Sequence, residues 1–194
     1  MCASPSDARL AARTHPTVTI HAVIIRQLDP HDAAAYQALR LRALQDSPTS
    51  FSSSYAQEAN RSIAEIIPRV TPAADGSRCV FGAFDDGRLV GMLAFIRPTS
   101  AKLAHGAELA GMYVAPECRR RGFGRALLDA LIAHARGLGG VRQLKLGVNA
   151  GNESARSVYR SAGFVRFGIE PEALQIDGIY YDQELHVLRL QRDA

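Results

Sequence analysis

Apolar residues along this chain recur with two periods, and the switches between them set the order of the elements. Val18 to Gln27 reads as a first strand. Asp29-Pro30-His31-Asp32 then has the make-up of a helix start, with Asp29 as N-cap, Pro30 at the first helical position and an acid in the first turn. Tyr36, Leu39, Ala43 and Leu44 supply that helix with a buried face, and it ends before Pro48. From Ser47 to Asn60 the chain is too polar for core, with Phe51 and Tyr55 as its only large apolar groups, and reads as a loop. Ser62-x-x-Glu65 matches a capping box for a short second helix, which Pro68 is expected to curtail.

Cys79 to Phe84 and Leu89 to Ile96 are apolar strands joined by Asp85-Asp86-Gly87, a hairpin turn. Leu109 to Ala115 is another short apolar strand, stopped by Pro116. After a basic loop, Phe123, Leu127, Ala130, Leu131 and His134 recur at three- and four-residue spacing, predicting a helix over 122–136 with His134 packed or half exposed. A strand at Gln143–Val148 follows. A helix over 152–162 comes next, with Asn152 as cap, Ala155, Val158, Tyr159 and Ala162 turned to the core, and Gly163 ending it. Strands near Phe164–Gly168 and Tyr180–Leu190 complete the chain. The order is mixed α/β without internal repeats, and the crossover from the 109–115 strand to Leu144 should be a right-handed parallel unit.

With 194 residues, nearly half of them apolar, the chain is expected to form one domain over 17–194, with a disordered tail over 1–16. No run of 18 apolar residues exists, which removes a helical membrane span. Three cysteines without metal spacing point to a reducing cytoplasm, and six histidines without paired ligand spacing call for no metal. The net charge of +4 raises nucleic acid as a partner. The densest basic cluster is only Arg119 to Arg125, however, and no aromatic-rich stripe accompanies it, so neither nucleic acid nor membrane is expected.

The basic loop carries the first chemical signal. It opens a helix, whose first N–H groups lack intrahelical partners and carry partial positive charge. Gly122 and Gly124 let an oxygen approach the backbone, and Arg119, Arg120, Arg121 and Arg125 add fixed positive charge. The inference is a phosphate or pyrophosphate site. A dinucleotide loop would need glycine where Leu127 stands, and the lysine-bearing loop of nucleotide hydrolases is absent.

Arg119-x-x-Gly122-x-Gly124 resembles the acyl-CoA pyrophosphate loop of the GNAT superfamily, the acetyl-CoA-dependent N-acetyltransferases. Asn152-Glu-Ser-Ala155-Arg-Ser-Val-Tyr159-Arg-Ser-Ala-Gly163-Phe164 is similar to the second signature of that superfamily, and the resemblance spans about Leu89 to Leu188. It implies a GNAT fold: a mixed, mostly antiparallel sheet of six to seven strands flanked by about four helices and splayed at the acyl-CoA site. It also implies acetyl-CoA as co-substrate, a bulge within Gly111–Val114, and cofactor contacts from Met112, Tyr113, Val114, Arg119, Arg120, Arg121, Gly122, Phe123, Gly124, Arg125 and Asn152.

The implied reaction is acetyl transfer to a primary amine by direct attack in a ternary complex. An alkyl ammonium with a pKa of about 10.4 must first lose a proton. By resemblance Glu108, six residues before Val114, is the base, with Asp182 and Glu184 as substitutes. Tyr159 matches the position that meets the leaving thiolate. A phenol at about 10 against a thiol at about 8.5 makes full proton donation uphill by roughly 2 kcal/mol, so a hydrogen bond is the safer role. Cys118 has basic neighbours but no nearby histidine and lies at the pyrophosphate end, against an acyl-enzyme. Phe51, Tyr55, Glu58, Tyr180, Tyr181 and Asp182 are expected to form the acceptor pocket, where rings and carboxylates would suit a cation. The acceptor is a small-molecule or a protein amine, and a homodimer stays open. Two other classes remain: a non-catalytic acyl-CoA sensor, and a DNA-binding helical module whose binding would fall with salt.

Overall fold

The computed structural model describes residues 23–190, so the 18–22 part of the expected first strand, and the expected tail, lie outside the described residues. Strands β1 (Val23–Gln27), β2 (Arg78–Asp85), β3 (Arg88–Ile96), β4 (Gly106–Val114), β5 (Gln143–Asn149), β6 (Val165–Ile176) and β7 (Ile179–Arg189) form one sheet in the order β1-β2-β3-β4-β5-β7-β6. Every neighbouring pair is antiparallel except β4–β5. Five α-helices are present among the described residues: α1 (Ala33–Asp46), α2 (Tyr55–Ala59), α3 (Ile63–Val70), α4 (Phe123–Gly137) and α5 (Glu153–Ser161). This is the expected mixed, mostly antiparallel sheet, with five helices instead of about four.

Local chemistry accounts for most of these boundaries. Asp29 accepts from the His31 N–H and Asp32 bonds back to the Asp29 N–H, a reciprocal cap ahead of α1. Asp86 (φ 48°) and Gly87 (φ 74°) make the two-residue turn between β2 and β3 in the left-handed geometry that matches strand twist. Two expectations are corrected. The 47–60 stretch is not a plain loop: Ser54 and Gln57 cap one another and start α2, a box that the polar composition hides. Pro68 lies inside α3, which continues to Val70, because so close to the C-terminus its missing N–H costs a single bond. β6 also runs well past Gly168, through a bulge described below.

The interiors of β2 and β3 are buried on both faces. Phe123, Leu127, Leu128 and Leu131 of α4 are all but inaccessible. A Cβ on Gly91 of β3 would lie 3.1 Å from Leu127, so the helix rests against the sheet with no room for a side chain between them. His134, half buried on α4, meets Phe81 and Phe95 edge to face, and burial holds its pKa below the ordinary histidine value. Glu58 is also buried, with Arg61 at 2.9 Å and Arg69 at 2.8 Å. Burial opposes its ionisation, but the Arg69 hydrogen bonds and the charges of Arg69, Arg61 and Arg40 win and hold its carboxyl below the ordinary value.

Leu127→Ala is expected to remove about 3 kcal/mol of stability, from lost burial and a cavity that rigid neighbours cannot close. A thermal melt should show a fall in Tm of roughly 6–12 °C for a chain of this size. A shift below about 1 °C would mean that α4 is not seated on Gly91.

Candidate active site

β4 decides the geometry. Its pairing with β5 is confined to Gly106–Gln143, Ala107–Leu144 and Glu108–Lys145, after which the two strands part. On its other side Ala110 faces Ala94 and Tyr113 faces Met92, so two residues of β4 stand opposite Leu93 alone. The extra residue is a bulge, and Gly111 takes φ +64°, a conformation that side chains disfavour. It lies within the Gly111–Val114 stretch expected to carry it.

A cavity of about 450 Å³ occupies the gap. Leu109, Ala110 and Gly111 line it from β4 and Gly147 from β5. Tyr36 and Arg40 of α1 enter from one side, with Ser50, Phe51 and Ser52 of the following loop. Glu170, Ala173 and Leu174 of β6 and Gln183 of β7 also line it. The β6 wall exists because Glu170 pairs with Gln183 and Leu174 with Tyr181, leaving three residues of β6 opposite Asp182. Pro171 cannot donate to the ladder there, and the Glu172 N–H is taken by Asp182 Oδ1 at 2.9 Å.

Glu108 shares a face of β4 with Ala110, which lines the cavity, and sits beside Lys145 where the strands separate. It is exposed. Tyr159 is buried on α5 with its ring edge-on to Phe164 at 5.9 Å. Burial pushes its phenol well above the ordinary tyrosine value, and its hydroxyl has no hydrogen-bond partner among the described residues. Asn152 caps α5, its Oδ1 accepting from the Ala155 N–H at 3.1 Å, while its Nδ2 donates to Ser50 Oγ at 3.4 Å. The cap thereby ties α5 to the loop that lines the cavity.

The basic loop follows β4 through a 3-10 turn, Pro116–Cys118. Gly122 is the N-cap of α4 at φ +85°, and the first N–H to find a main-chain carbonyl is that of Ala126, on Gly122. The amides before it, from Gly122 to Arg125, point out of the helix end unclaimed by the main chain. The four arginines do not act as one cluster. Arg121 is paired with Asp85 at 2.7 Å and Arg125 with Asp129 at 2.8 Å. Arg119 donates to the Val114 carbonyl at 3.0 Å, and Arg120 makes no ion pair among the described residues. Phe123 is buried under the Arg121 guanidinium. Met112 reaches the loop, its Cε lying 3.0 Å from where a Cβ on Gly124 would be. Tyr113 turns to α1 instead and donates to Asp46 at 2.6 Å. Cys118 is buried at this end, away from the cavity lining.

Of the six expected acceptor residues, Phe51 alone lines the cavity. Tyr55 and Tyr180 are exposed, Tyr180 bonding Gln175, and Tyr181 lies half buried beyond the bulge. Glu58 is committed to its two arginines, and Asp182 to the bulge. Glu184 lies on the opposite sheet face from Gln183, buried against His186, Arg156 and Arg166. Sequence reasoning missed Tyr36, Arg40, Glu170 and Gln183. A signal did exist for one of them: Arg40 stands four residues after Tyr36 on the stripe that continues to Ala43, so a charge falls on the buried face of α1.

Gly122→Ala meets no atom within 4 Å, so only backbone strain opposes it. We expect a loss of about 1 kcal/mol in urea denaturation, and less for Gly122→Asn, which tolerates the left-handed region.

The family model described as Acetyltransferase (GNAT) family matches residues 40–164, more than half of the chain. Among solved structures, a GNAT-family acetyltransferase from Streptococcus pneumoniae superposes with a TM-score of 0.78 at 23% identity, over 88% of this chain and 100% of that one. The Salmonella typhimurium protein yncA, solved with its cofactor acetyl-CoA, gives 0.74 at 24% identity, over 89% and 96%. Ribosomal-protein-alanine N-acetyltransferase from Brucella melitensis gives 0.72 at 27% identity, over 86% and 99%. With the two signatures and the parted β4–β5 pair in place, the chain belongs to the acetyltransferase (GNAT) family and is an acyl-CoA-dependent N-acetyltransferase.

Proposed function

We propose that this enzyme moves an acetyl group from acetyl-CoA to a primary amine held in the cavity, by direct attack of the amine. The observation that carries the reading is that β4 joins two features: at one end it parts from β5 over a cavity, and at the other it feeds a left-handed glycine and a helix start with unclaimed amides. A chain-like thioester ligand with an anionic end fits that arrangement. The backbone amides at Gly122–Arg125 and Arg120 would hold the pyrophosphate, and the edge of β4 that β5 leaves over Gly111–Val114 the arm. Acetyl-CoA supplies the activated acyl group.

The chain's own residues divide the remaining work. Glu108, at the vertex where the strands part, takes the amine's proton through water, as suits an exposed carboxylate facing the cavity side. Tyr159 keeps its proton at all ordinary pH and donates a hydrogen bond to the thiolate as it leaves. A phenol raised by burial is a still poorer acid, which favours that hydrogen bond over full proton transfer. No described helix is long and apolar enough to cross a membrane, and no cluster among the described residues could hold a metal ion.

Calorimetric titration with acetyl-CoA should show one site on the wild type and none on Gly124→Glu, which puts an anion at the helix start. Gly124→Ala, which asks only the flexible Met112 to move, should bind within a few-fold of wild type. Absence of binding to the folded wild type would overturn the reading. In turnover measured by thiol release, Glu108→Gln should lower kcat by about 100-fold and Tyr159→Phe by about 10- to 100-fold, with acetyl-CoA affinity unchanged. An unchanged kcat in Glu108→Gln would remove that residue from the chemistry.

A further inference from the structure

Arg40 is a charged group on the cavity wall that acetyl transfer to a plain amine leaves unused. Its guanidinium lies 4.5 Å above the Phe51 ring and donates to Ser53 Oγ at 2.9 Å. Its Nη1 stands 3.5 Å from the Cβ position of Gly111, at the bulge of β4. Its Nε is buried and has no hydrogen-bond partner among the described residues. No carboxylate comes within 4.0 Å of it among the described residues, although nearly every other arginine near the site has one: Arg42, Arg61, Arg69, Arg121 and Arg125 are all paired. The nearby Glu58 cannot serve, because Arg61 and Arg69 already hold its oxygens.

A half-buried guanidinium with no direct ion pair among the described residues is costly, and burial accordingly lowers its pKa. A guanidinium nevertheless stays charged at neutral pH and presents a planar fork of donors that matches a carboxylate. Placing such a group on a cavity wall, stacked on the Phe51 ring, leaves a charge that feels Glu58 only at longer range and that a ligand carboxylate would pair directly. Glu170 lines the same cavity. The two charges are of the signs that an ammonium and a carboxylate on one small molecule would meet.

Resting on the acetyltransferase reading, we propose that the acceptor is a small molecule of the amino-acid type, and that Arg40 is its specificity-determining residue, pairing with the carboxylate while the amine faces the parted strands. The carboxylate could instead belong to the acyl chain of a dicarboxylic acyl-CoA, which presents the same chemistry to Arg40. Acetyl-CoA and succinyl-CoA used side by side separate these two sources.

The test uses the full chain with acetyl-CoA and two panels: the free amino acids and the corresponding amino-acid amides, which keep the amine and lose the charge. The wild type should prefer an acid over its amide by about 30-fold or more in kcat/KM, the range expected for a charge-assisted pair in a desolvated site. Arg40→Gln should bring that ratio to within about threefold, chiefly through KM, with acetyl-CoA affinity by calorimetry unchanged. Arg40→Lys should restore part of it, and guards against a Gln variant that fails to fold. Equal use of acids and amides by the wild type overturns the proposal, as does an Arg40→Gln loss that is the same for both. No turnover of any amino acid by a protein that binds acetyl-CoA also overturns it while leaving the acetyltransferase reading intact. A loss of succinyl-CoA use in Arg40→Gln, with acceptor preference untouched, assigns the carboxylate to the donor and overturns it too. Failure of the wild type to bind acetyl-CoA removes both readings together.

Discussion

The structure depends on β4 having to leave its parallel partner after three residue pairs. Main-chain N–H and C=O groups inside a protein need partners, and strands part only where something else can satisfy them. Here the bulge at Gly111 turns the backbone just past the last pair, Glu108–Lys145, and β5 is held instead by β7, which it pairs along its whole length. The sheet therefore continues as one layer while its middle is open. That opening forms the floor of the cavity and leaves main-chain groups available to a ligand.

The ends of the opening are secured by side chains whose roles would otherwise look merely structural. Asn152 both starts α5 and reaches Ser50, and Asn149 at the end of β5 donates to the Thr49 carbonyl at 3.4 Å. Asp182 holds the β6 bulge that carries Glu170 and Leu174 to the wall. These are short-range bonds, each worth about 1 kcal/mol. Together they fix the walls where the sheet itself provides no ladder.

Charge is distributed with similar economy. The loop rich in arginine is less positive than its sequence suggests, because Asp85 and Asp129 each neutralise one guanidinium and the Val114 carbonyl occupies another. What remains for an anion is chiefly backbone amide and Arg120, which makes no ion pair among the described residues. Under α1 the balance is reversed, since Glu58 pairs directly with Arg61 and Arg69, and Arg40 has no direct ion pair among the described residues. An unbalanced charge inside a cavity indicates a ligand more strongly than several balanced ones on a surface.

What the sequence determined by itself was whatever depends on neighbours a few residues apart. The caps at Asp29, Ser62 and Asn152, the Asp86-Gly87 turn, the stripe of α4 and the glycine-bearing loop at its start are all local rules of backbone satisfaction and periodicity. The same rules fail where local composition conceals a cap, as at Ser54, or where a bulge breaks the alternation, as after Glu170. The content of the cavity was decided only by tertiary structure. Arg40, Gly147, Glu170 and Gln183 meet there from α1, β5, β6 and β7, and which carboxylates are free depends on which arginines fold against them. Glu58 and Asp182 look in sequence like acids available to an amine, and only the packed chain shows that both are already taken, because an ion pair or a capped amide forms between residues that sequence distance keeps apart.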